Sequence, residues 1–195
     1  MIQIIHFGEY DWRILDVQGN NILIITVDIV EKHAYHNMYE CITWAESDLW
    51  KYLNSEFYRR FTAEQQSRIV AVNNHNLPNQ WYGTDGGKET TDKIFLLSLE
   101  EADRYFGNSG DYQNKRRKKY RNGTYSVDSN GYYFSNEYDN DRIASYGTSN
   151  HCWWLRSPGI RVHAASTESS GLVSVRGSRI DNIRGGVRPA LWLST

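Results

Sequence analysis

WWLRSPG at residues 153–159 and GGVRPALWL at residues 185–193 are the two stretches that decide the fold. Their apolar side chains follow an alternation that is typical of strands. We therefore predict core strands that bury six residues: Trp153, Trp154, Leu155, Val187, Leu191 and Leu193. Each stretch also holds an arginine, Arg156 or Arg188, and an arginine in apolar surroundings needs carbonyl or carboxylate partners. We interpret both arginines as structural rather than as ligand contacts.

The first thirty residues carry the other strong strand signal. Apolar and β-branched runs at residues 2–7, 12–17 and 22–27 are separated by turn signals at residues 8–11 and 19–21. Runs joined by Gly/Asn turns predict an antiparallel hairpin. Because the strong apolar strands lie at the two ends of the chain, we predict that the N-terminal hairpin and the C-terminal strands share a sheet.

The middle of the chain predicts short helices and strands. Apolar residues recur about one helical turn apart after Ser47, and capping boxes at Thr62 and Ser98 indicate two further helix starts. Residues 69–72 predict a strand, residues 93–97 predict a buried strand or a strand-like entry, and residues 73–91 predict a long loop. The sequence therefore predicts an α+β fold with antiparallel strands, two or three helices and long irregular loops.

Residues 107–147 lack a periodic pattern and predict an irregular insertion within one domain that spans residues 1–195. This segment contains a basic run, Lys115 to Arg121. Phosphate or nucleic-acid contact is one interpretation of that run. The chain as a whole has 22 Lys and Arg against 23 Asp and Glu, so we favour a solvated loop and predict no nucleic-acid partner.

The composition points to a recognition protein without a membrane span. Aromatic residues make up 14% of the chain, and most are Tyr or Trp, which suit partly hydrated recognition surfaces.

No apolar run approaches the ~20 residues that cross a bilayer. The N-terminus lacks the basic flank and cleavage site of a signal peptide. We expect a soluble protein, cytoplasmic or phage-associated by default, with no membrane insertion.

The sequence offers no convergent catalytic set. His33 and His36 lie near acidic residues, but no further ligand cluster completes a metal site there. There is no phosphate-binding glycine loop and no G-x-S-x-G nucleophile turn. Cys152 precedes two tryptophans, which indicates an inert thiol, and whether it pairs with Cys41 stays open. We expect no metal, no cofactor and no enzymatic activity.

The two C-terminal motifs, together with FGEYDWR at residues 7–13 and TDKIFLLS at residues 91–98, resemble the DUF6273 family of bacterial and phage proteins. The resemblance implies a C-type lectin-like fold, in the branch of the formylglycine-generating enzymes and the variable proteins of diversity-generating retroelements. The calcium-binding EPN, QPD and WND motifs of sugar-binding lectins are absent. Only Cys152 lies in the last third, which argues against formylglycine-generating activity.

Between the two motifs the chain carries aperiodic polar residues, which we expect on loops or strand edges. By resemblance these positions form a variable face that binds a protein or a cell-surface ligand, and the chain is a possible target of a diversity-generating retroelement. The alternative is a structural accessory domain of a phage or surface assembly. The predicted face comprises Ile160, Arg161, Val162, His163, Glu168, Ser174, Arg176, Ser178, Arg179, Asp181, Asn182, Ile183 and Arg184.

Overall fold

The computed structural model describes residues 2–106, 133–134 and 137–195. Fifteen strands are assigned within these residues. In chain order they are Ile4–Phe7 (β1), Tyr10–Gln18 (β2), Asn21–Thr26 (β3), Glu31–Lys32 (β4), Ile69–Val70 (β5), Val72–Asn74 (β6), Thr90–Asp92 (β7), Tyr133–Phe134 (β8), Ser145–Tyr146 (β9), Ser149–Asn150 (β10), Trp153–Pro158 (β11), His163–Thr167 (β12), Val173–Arg179 (β13), Gly186–Val187 (β14) and Ala190–Ser194 (β15).

Four short α-helices accompany the strands in the described part of the chain. They are Asp48–Tyr52 (α1), Ala63–Arg68 (α2), Leu99–Tyr105 (α3) and Asp139–Arg142 (α4). A 3-10 turn, Trp44–Glu46, precedes α1, and a π-helical turn, Leu53–Phe57, and a 3-10 turn, Tyr58–Arg60, follow it. The predicted α+β class is confirmed, although the helices outnumber the two or three that the sequence predicts.

The first sheet joins the two ends of the chain. Its order is β1-β2-β3-β15-β5, with antiparallel neighbours throughout. Strands β2 and β3 meet at a two-residue turn where Gly19 takes a φ of +58°, a conformation that glycine adopts without a steric penalty. The prediction of a shared sheet is therefore confirmed for β15.

The second sheet holds the other C-terminal strands. Its order is β4-β14-β11-β12-β13-β8, and in it β11 and β14 run parallel. The tryptophans of the 153–159 motif lie here, so the shared-sheet prediction is wrong for them. The physical reason is that β11 pairs with β12 and β14 and never with the N-terminal hairpin.

A hydrophobic core packs between and beside these sheets. It includes the six predicted core residues, all of which are buried, and the rings of Trp12, Tyr35, Trp44 and Phe57. The tryptophans also use their polar edges, since Trp153 Nε1 donates to the Arg142 carbonyl and Trp154 Nε1 donates to the His33 carbonyl. Burial of these large rings removes apolar surface from water and so stabilises the fold. The donated hydrogen bonds remove the cost of burying the indole N–H.

Helix starts follow the local sequence signals. The Ser47 side chain accepts from Trp50 N and so caps α1. Complete capping boxes are present at Thr62 with Gln65 and at Ser98 with Glu101. These three predictions are confirmed because capping depends on residues that are close in sequence.

One prediction about the middle of the chain holds only in its strand-like alternative, and another is wrong. Residues 93–97 are mostly buried but do not form a strand, because their carbonyls bond elsewhere: Leu97 O accepts from Arg156 N and Ile94 O from the Asn54 amide. A single bridge, Phe95 with Ala190, ties this segment to β15. The predicted loop at residues 73–91 is bounded by the paired strands β6 and β7, which shorten it at both ends.

The predicted irregular insertion is ordered at its C-terminal end. Residues 107–132 and 135–136, with the basic run Lys115 to Arg121, lie outside the described residues. The described remainder forms β8, α4 and β9, so the prediction is wrong there. Arg142 of α4 is fully buried and donates Nε to the Gly171 carbonyl. This hydrogen bond joins distant positions of the chain, so no apolar periodicity in the sequence reveals that the segment is ordered.

A buried carboxylate connects the helical region to the β6–β7 pair. Asp92 is 0% exposed, and its Oδ2 accepts from Trp44 Nε1, Asn74 Nδ2 and Thr90 Oγ1 at 3.0, 2.8 and 3.0 Å. Its Oδ1 accepts from Trp50 Nε1 at 2.7 Å. Four converging donors satisfy this buried group and fix the position of the segment that leads into α3.

None of the helices in the described ranges has both the length and the apolar character needed to cross a membrane.

Candidate ligand-binding face

Two turns and a hairpin shape the surface of the second sheet. Strands β12 and β13 form the hairpin, and their register shifts between Ala164 and Ser166. Gly177 sits opposite the shift with a φ of +78°, and a Cβ there would lie 2.0 Å from the Ala164 carbonyl oxygen. A glycine is therefore required at this bulge, which bends the end of β13 and re-aims the side chains that follow.

The turn between β11 and β12 is held against β13 by backbone contacts. Gly159 N donates to His163 O at 2.7 Å, and Ile160 N donates to Arg176 O at 2.9 Å. Arg161, at the tip, has a φ of +52° and is the one non-glycine residue of the described chain at positive φ. Backbone strain of this kind persists where the surroundings enforce it, and it concentrates at functional sites.

The Asn79 side chain holds this turn in place through hydrogen bonds. Its buried amide donates to the carbonyls of Pro158 and Val175, both at 2.8 Å. Its Oδ1 accepts from the backbone N of Trp81 and of Tyr82. One side chain thus ties the 75–89 loop to Pro158 of β11 and to Val175 of β13.

An open depression of about 580 Å³ lies on this surface. Gly177 lines it together with seven of the thirteen residues of the predicted face. Those seven are His163, Arg176, Ser178, Arg179, Asp181, Asn182 and Ile183. Ile180, between them, is 1% exposed and points into the core, while its carbonyl accepts from His36 N at 3.0 Å.

The electrostatics of the depression are set by arginines. Arg179 binds Asp181 in a bidentate pair, with Nε–Oδ1 at 3.0 Å and Nη2–Oδ2 at 2.7 Å. The hydrogen bonds from Arg179 lower the pKa of Asp181. Partial burial lowers the pKa of His163, and the charges of Arg176 and Arg179 act in the same direction. Together they outweigh the hydrogen bond to the Ile160 carbonyl, which raises that pKa. The exposed ion pair adds little stability, so it is free to exchange for a ligand contact.

The other predicted residues lie outside the depression. Ile160, Arg161 and Val162 form the neighbouring turn, and Arg184 is exposed beyond Ile183. Glu168 follows the far end of β12, where burial raises the pKa of its carboxyl.

Ser174 is a correction to the predicted face. It is 3% exposed, and its Oγ accepts from Gly177 N at 3.0 Å. The side chain therefore supports the bulge from inside instead of reaching a ligand. The sequence shows a serine among polar neighbours and does not reveal that the bulge turns this position inward.

Sequence reasoning missed a second contribution to this surface. Met38 and Tyr39 are 59% and 55% exposed, and the guanidinium carbon of Arg179 lies 4.4 Å from the Tyr39 ring centroid. The segment 36–41 comes from a distant part of the chain, so only the fold places it here. The sequence offers one signal for this contribution, which is a Met-Tyr pair in a stretch that follows neither a helical nor a strand periodicity.

The four motif residues do not line the depression. Arg156 pairs with Glu101 through both of its terminal nitrogens and donates to Leu96 O at 2.8 Å. Burial alone would raise the pKa of Glu101, but the charge and hydrogen bonds of Arg156 outweigh it and lower that pKa. Arg188 donates to the carbonyls of Thr26, Val27 and Arg142. With Trp153 and Trp154, these side chains have internal partners.

The histidines and cysteines considered in the sequence do not converge. His33 Nδ1 donates to Ala34 O and its ring stacks on Tyr52, whereas His36 lies between Glu40 and Asp48. Among the residues that the structure describes, no group of three His, Cys, Asp or Glu side chains could hold a metal ion. Cys41 is exposed and Cys152 is half-buried, and the two are free thiols. Burial raises the pKa of the Cys152 thiol.

Comparison with protein families bears on these motifs. The model of DUF6273, a domain of unknown function, matches residues 19–195, which include both C-terminal motifs and the whole predicted face. The chain belongs to the DUF6273 family. No curated protein and no solved structure matches it. The 7–13 motif lies before the matched region, so the DUF6273 assignment rests on the remaining three motifs.

Proposed function

We propose that this DUF6273 chain is a non-enzymatic ligand-binding protein whose depression on the second sheet is the binding face. In this proposal the two sheets are a C-type lectin-like scaffold and the ligand is a protein or a cell-surface structure. The observation that carries it is the depression itself, because seven side chains chosen from sequence as a display face line one concave surface. Concave surfaces with mixed polar and apolar walls are the usual sites of recognition.

The charges of the face favour an acidic ligand. The turn and depression present Arg161, Arg176, Arg179 and Arg184, against Asp181, which Arg179 already pairs. Arginine and exposed aromatic residues, here Tyr39, are enriched where proteins bind proteins. We therefore infer that the partner offers carboxylates, on an acidic segment of a protein surface.

The further possibility that a diversity-generating retroelement varies this face belongs to the same proposal. Retroelement diversification would require a near-copy of the codons for residues 150–190 beside a reverse transcriptase gene. A scaffold held by the motif residues, with aperiodic residues on the face, is compatible with such variation.

Peptide selection tests the proposal. A random peptide library is selected on the immobilised protein and counter-selected on a five-fold alanine variant of Arg176, Ser178, Arg179, Asp181 and Asn182. We expect acidic peptides whose Kd is at least about tenfold weaker for the five-fold variant, since each lost charged hydrogen bond costs about 1.5–3 kcal/mol.

A composition-matched control separates the face from general charge effects. It carries alanine at five exposed positions that do not line the depression: Lys51, Arg59, Glu64, Ser67 and Asn73. The control should bind the selected peptides as the wild type does. Peptides that bind the wild type and the five-fold variant equally would place the binding surface elsewhere and refute the proposal.

A further inference from the structure

Two arginines outside the depression lack a carboxylate partner. Arg188 is 2% exposed, and its three hydrogen bonds all go to backbone carbonyls. Arg13 is half-buried and donates Nη1 to the Asp141 backbone carbonyl at 3.1 Å. Among the described residues, no carboxylate forms an ion pair with either guanidinium. Buried charges are normally paired, so this arrangement is unusual.

The two guanidinium groups contact the same aromatic ring. Their central carbons are 4.8 Å and 5.2 Å from the centroid of the same ring, Phe106, and so are at most 10.0 Å apart. Burial, and after it the charge of Arg13, lowers the pKa of Arg188 to about 9. Both groups are therefore positive at neutral pH. From beyond ion-pair distance, Asp141 acts on Arg13 and Asp28 acts on Arg188, and their charges offset part of the repulsion between the two arginines. An anion bound to both guanidinium groups would offset more of it.

A cavity of about 210 Å³ has both arginines in its wall. Ile2, Ile4 and Ile143 form much of the remaining lining, and the first two are 55% and 56% exposed. The volume is below the about 300–1,000 Å³ of pockets for drug-sized ligands, so only a small molecule fits. One part of the wall is cationic and another part is aliphatic.

We propose that this cavity binds a small aliphatic monocarboxylate. The carboxylate accepts hydrogen bonds from Arg13 and Arg188 in the cavity wall, and the hydrocarbon chain packs on the isoleucines. A guanidinium has five N–H donors, and the contacts above use three on Arg188 and one on Arg13, which leaves donors for both carboxylate oxygens. Asp141 also lines the cavity, and its negative charge disfavours a dicarboxylate or a phosphate.

Calorimetric titration with hexanoate tests the site. The wild type should show saturable binding with a Kd of about 1 mM or tighter. The Arg13→Gln variant should bind at least about tenfold more weakly, because it loses one charged partner of the carboxylate. Ile4→Asp should also weaken binding; it changes an exposed residue and therefore tests the site without disturbing the core. Arg179→Gln, on the other face, is the matched control and should bind as the wild type does.

Three comparison ligands sharpen the result. Hexanol has the same chain without the charge, and succinate and inorganic phosphate carry more charge without the chain. Equal binding of hexanol, tighter binding of succinate or phosphate, or an unchanged affinity in Arg13→Gln would overturn the monocarboxylate site. The absence of saturable hexanoate binding to the folded wild type would do the same. None of these outcomes bears on the depression, so this proposal and the proposed function fail independently.

Discussion

Replacing Trp154 by alanine is expected to lower the free energy of unfolding by about 3–5 kcal/mol, or to prevent folding altogether. The indole is 1% exposed and lies against Tyr35, with ring centroids 5.8 Å apart. Its Nε1 donates to the His33 carbonyl at 2.8 Å. A Cβ added to Gly185 would lie 2.0 Å from that nitrogen, so the neighbouring chain is shaped around the ring. Truncation therefore leaves a large cavity together with a carbonyl that has lost its donor.

Urea unfolding followed by far-ultraviolet circular dichroism measures this loss. Ile183→Ala is the control, since Ile183 is 73% exposed and surface substitutions change stability by about ±0.5 kcal/mol. A Trp154→Ala variant with a midpoint like that of Ile183→Ala would show that the 153–159 motif does not hold the core.

Replacing Asp92 by alanine is expected to cost at least about 3 kcal/mol, because each buried donor left without an acceptor costs about 1–3 kcal/mol. Three of its donors, on Trp44, Asn74 and Thr90, form buried hydrogen bonds, so solvent does not replace the lost acceptor. The fourth, Trp50 Nε1, is only partly buried. The loss should separate the β6–β7 pair from the helical region around α1.

Asp92→Asn is the informative companion. An amide oxygen in the place of Oδ2 keeps three of the four acceptor contacts, so this variant should lose clearly less stability than the alanine variant. Asp11→Ala, which removes an exposed pair with His6, should change stability by no more than about 1 kcal/mol. Equal losses for the Asn and Ala variants in urea unfolding would mean that hydrogen bonding is not what Asp92 contributes.

The features that could be predicted from sequence are local ones. The capping boxes at Thr62 and Ser98 and the β2–β3 turn at Gly19 depend on residues a few positions apart, and the structure contains all of them. The buried aromatic residues of the 153–159 motif follow from their size and apolar surface. Each of these signals is contained in a short stretch of chain, where propensity and burial act together.

The features that could not be predicted depend on distant partners. Asn79 contacts Pro158 and Val175, and Asp92 collects donors from four segments, so neither role is visible in its neighbourhood. The inward Ser174 results from a register shift between β12 and β13 that no periodic pattern announces. Residues 93–97 look like a strand because they are mostly apolar, but the side chains of Asn54 and Arg156 take the carbonyls of Ile94 and Leu96. Seven of the thirteen residues of the predicted face line the depression, and its shape depends on the fold.

The melting temperature of the five-fold variant of Arg176, Ser178, Arg179, Asp181 and Asn182 tests most directly whether the face is separable from the fold. Arg179 and Asp181 bond to each other, and the Asn182 side chain accepts from Arg184 N in an exposed turn. Ser178 Oγ has a long contact of 3.5 Å to Ser166 Oγ. Exposed substitutions usually shift stability by about ±0.5 kcal/mol each. We therefore expect calorimetry to give a cooperative transition within a few degrees of the wild type. A variant that unfolds, or that melts without a cooperative transition, would contradict the account, because the face would then be part of what holds the protein together.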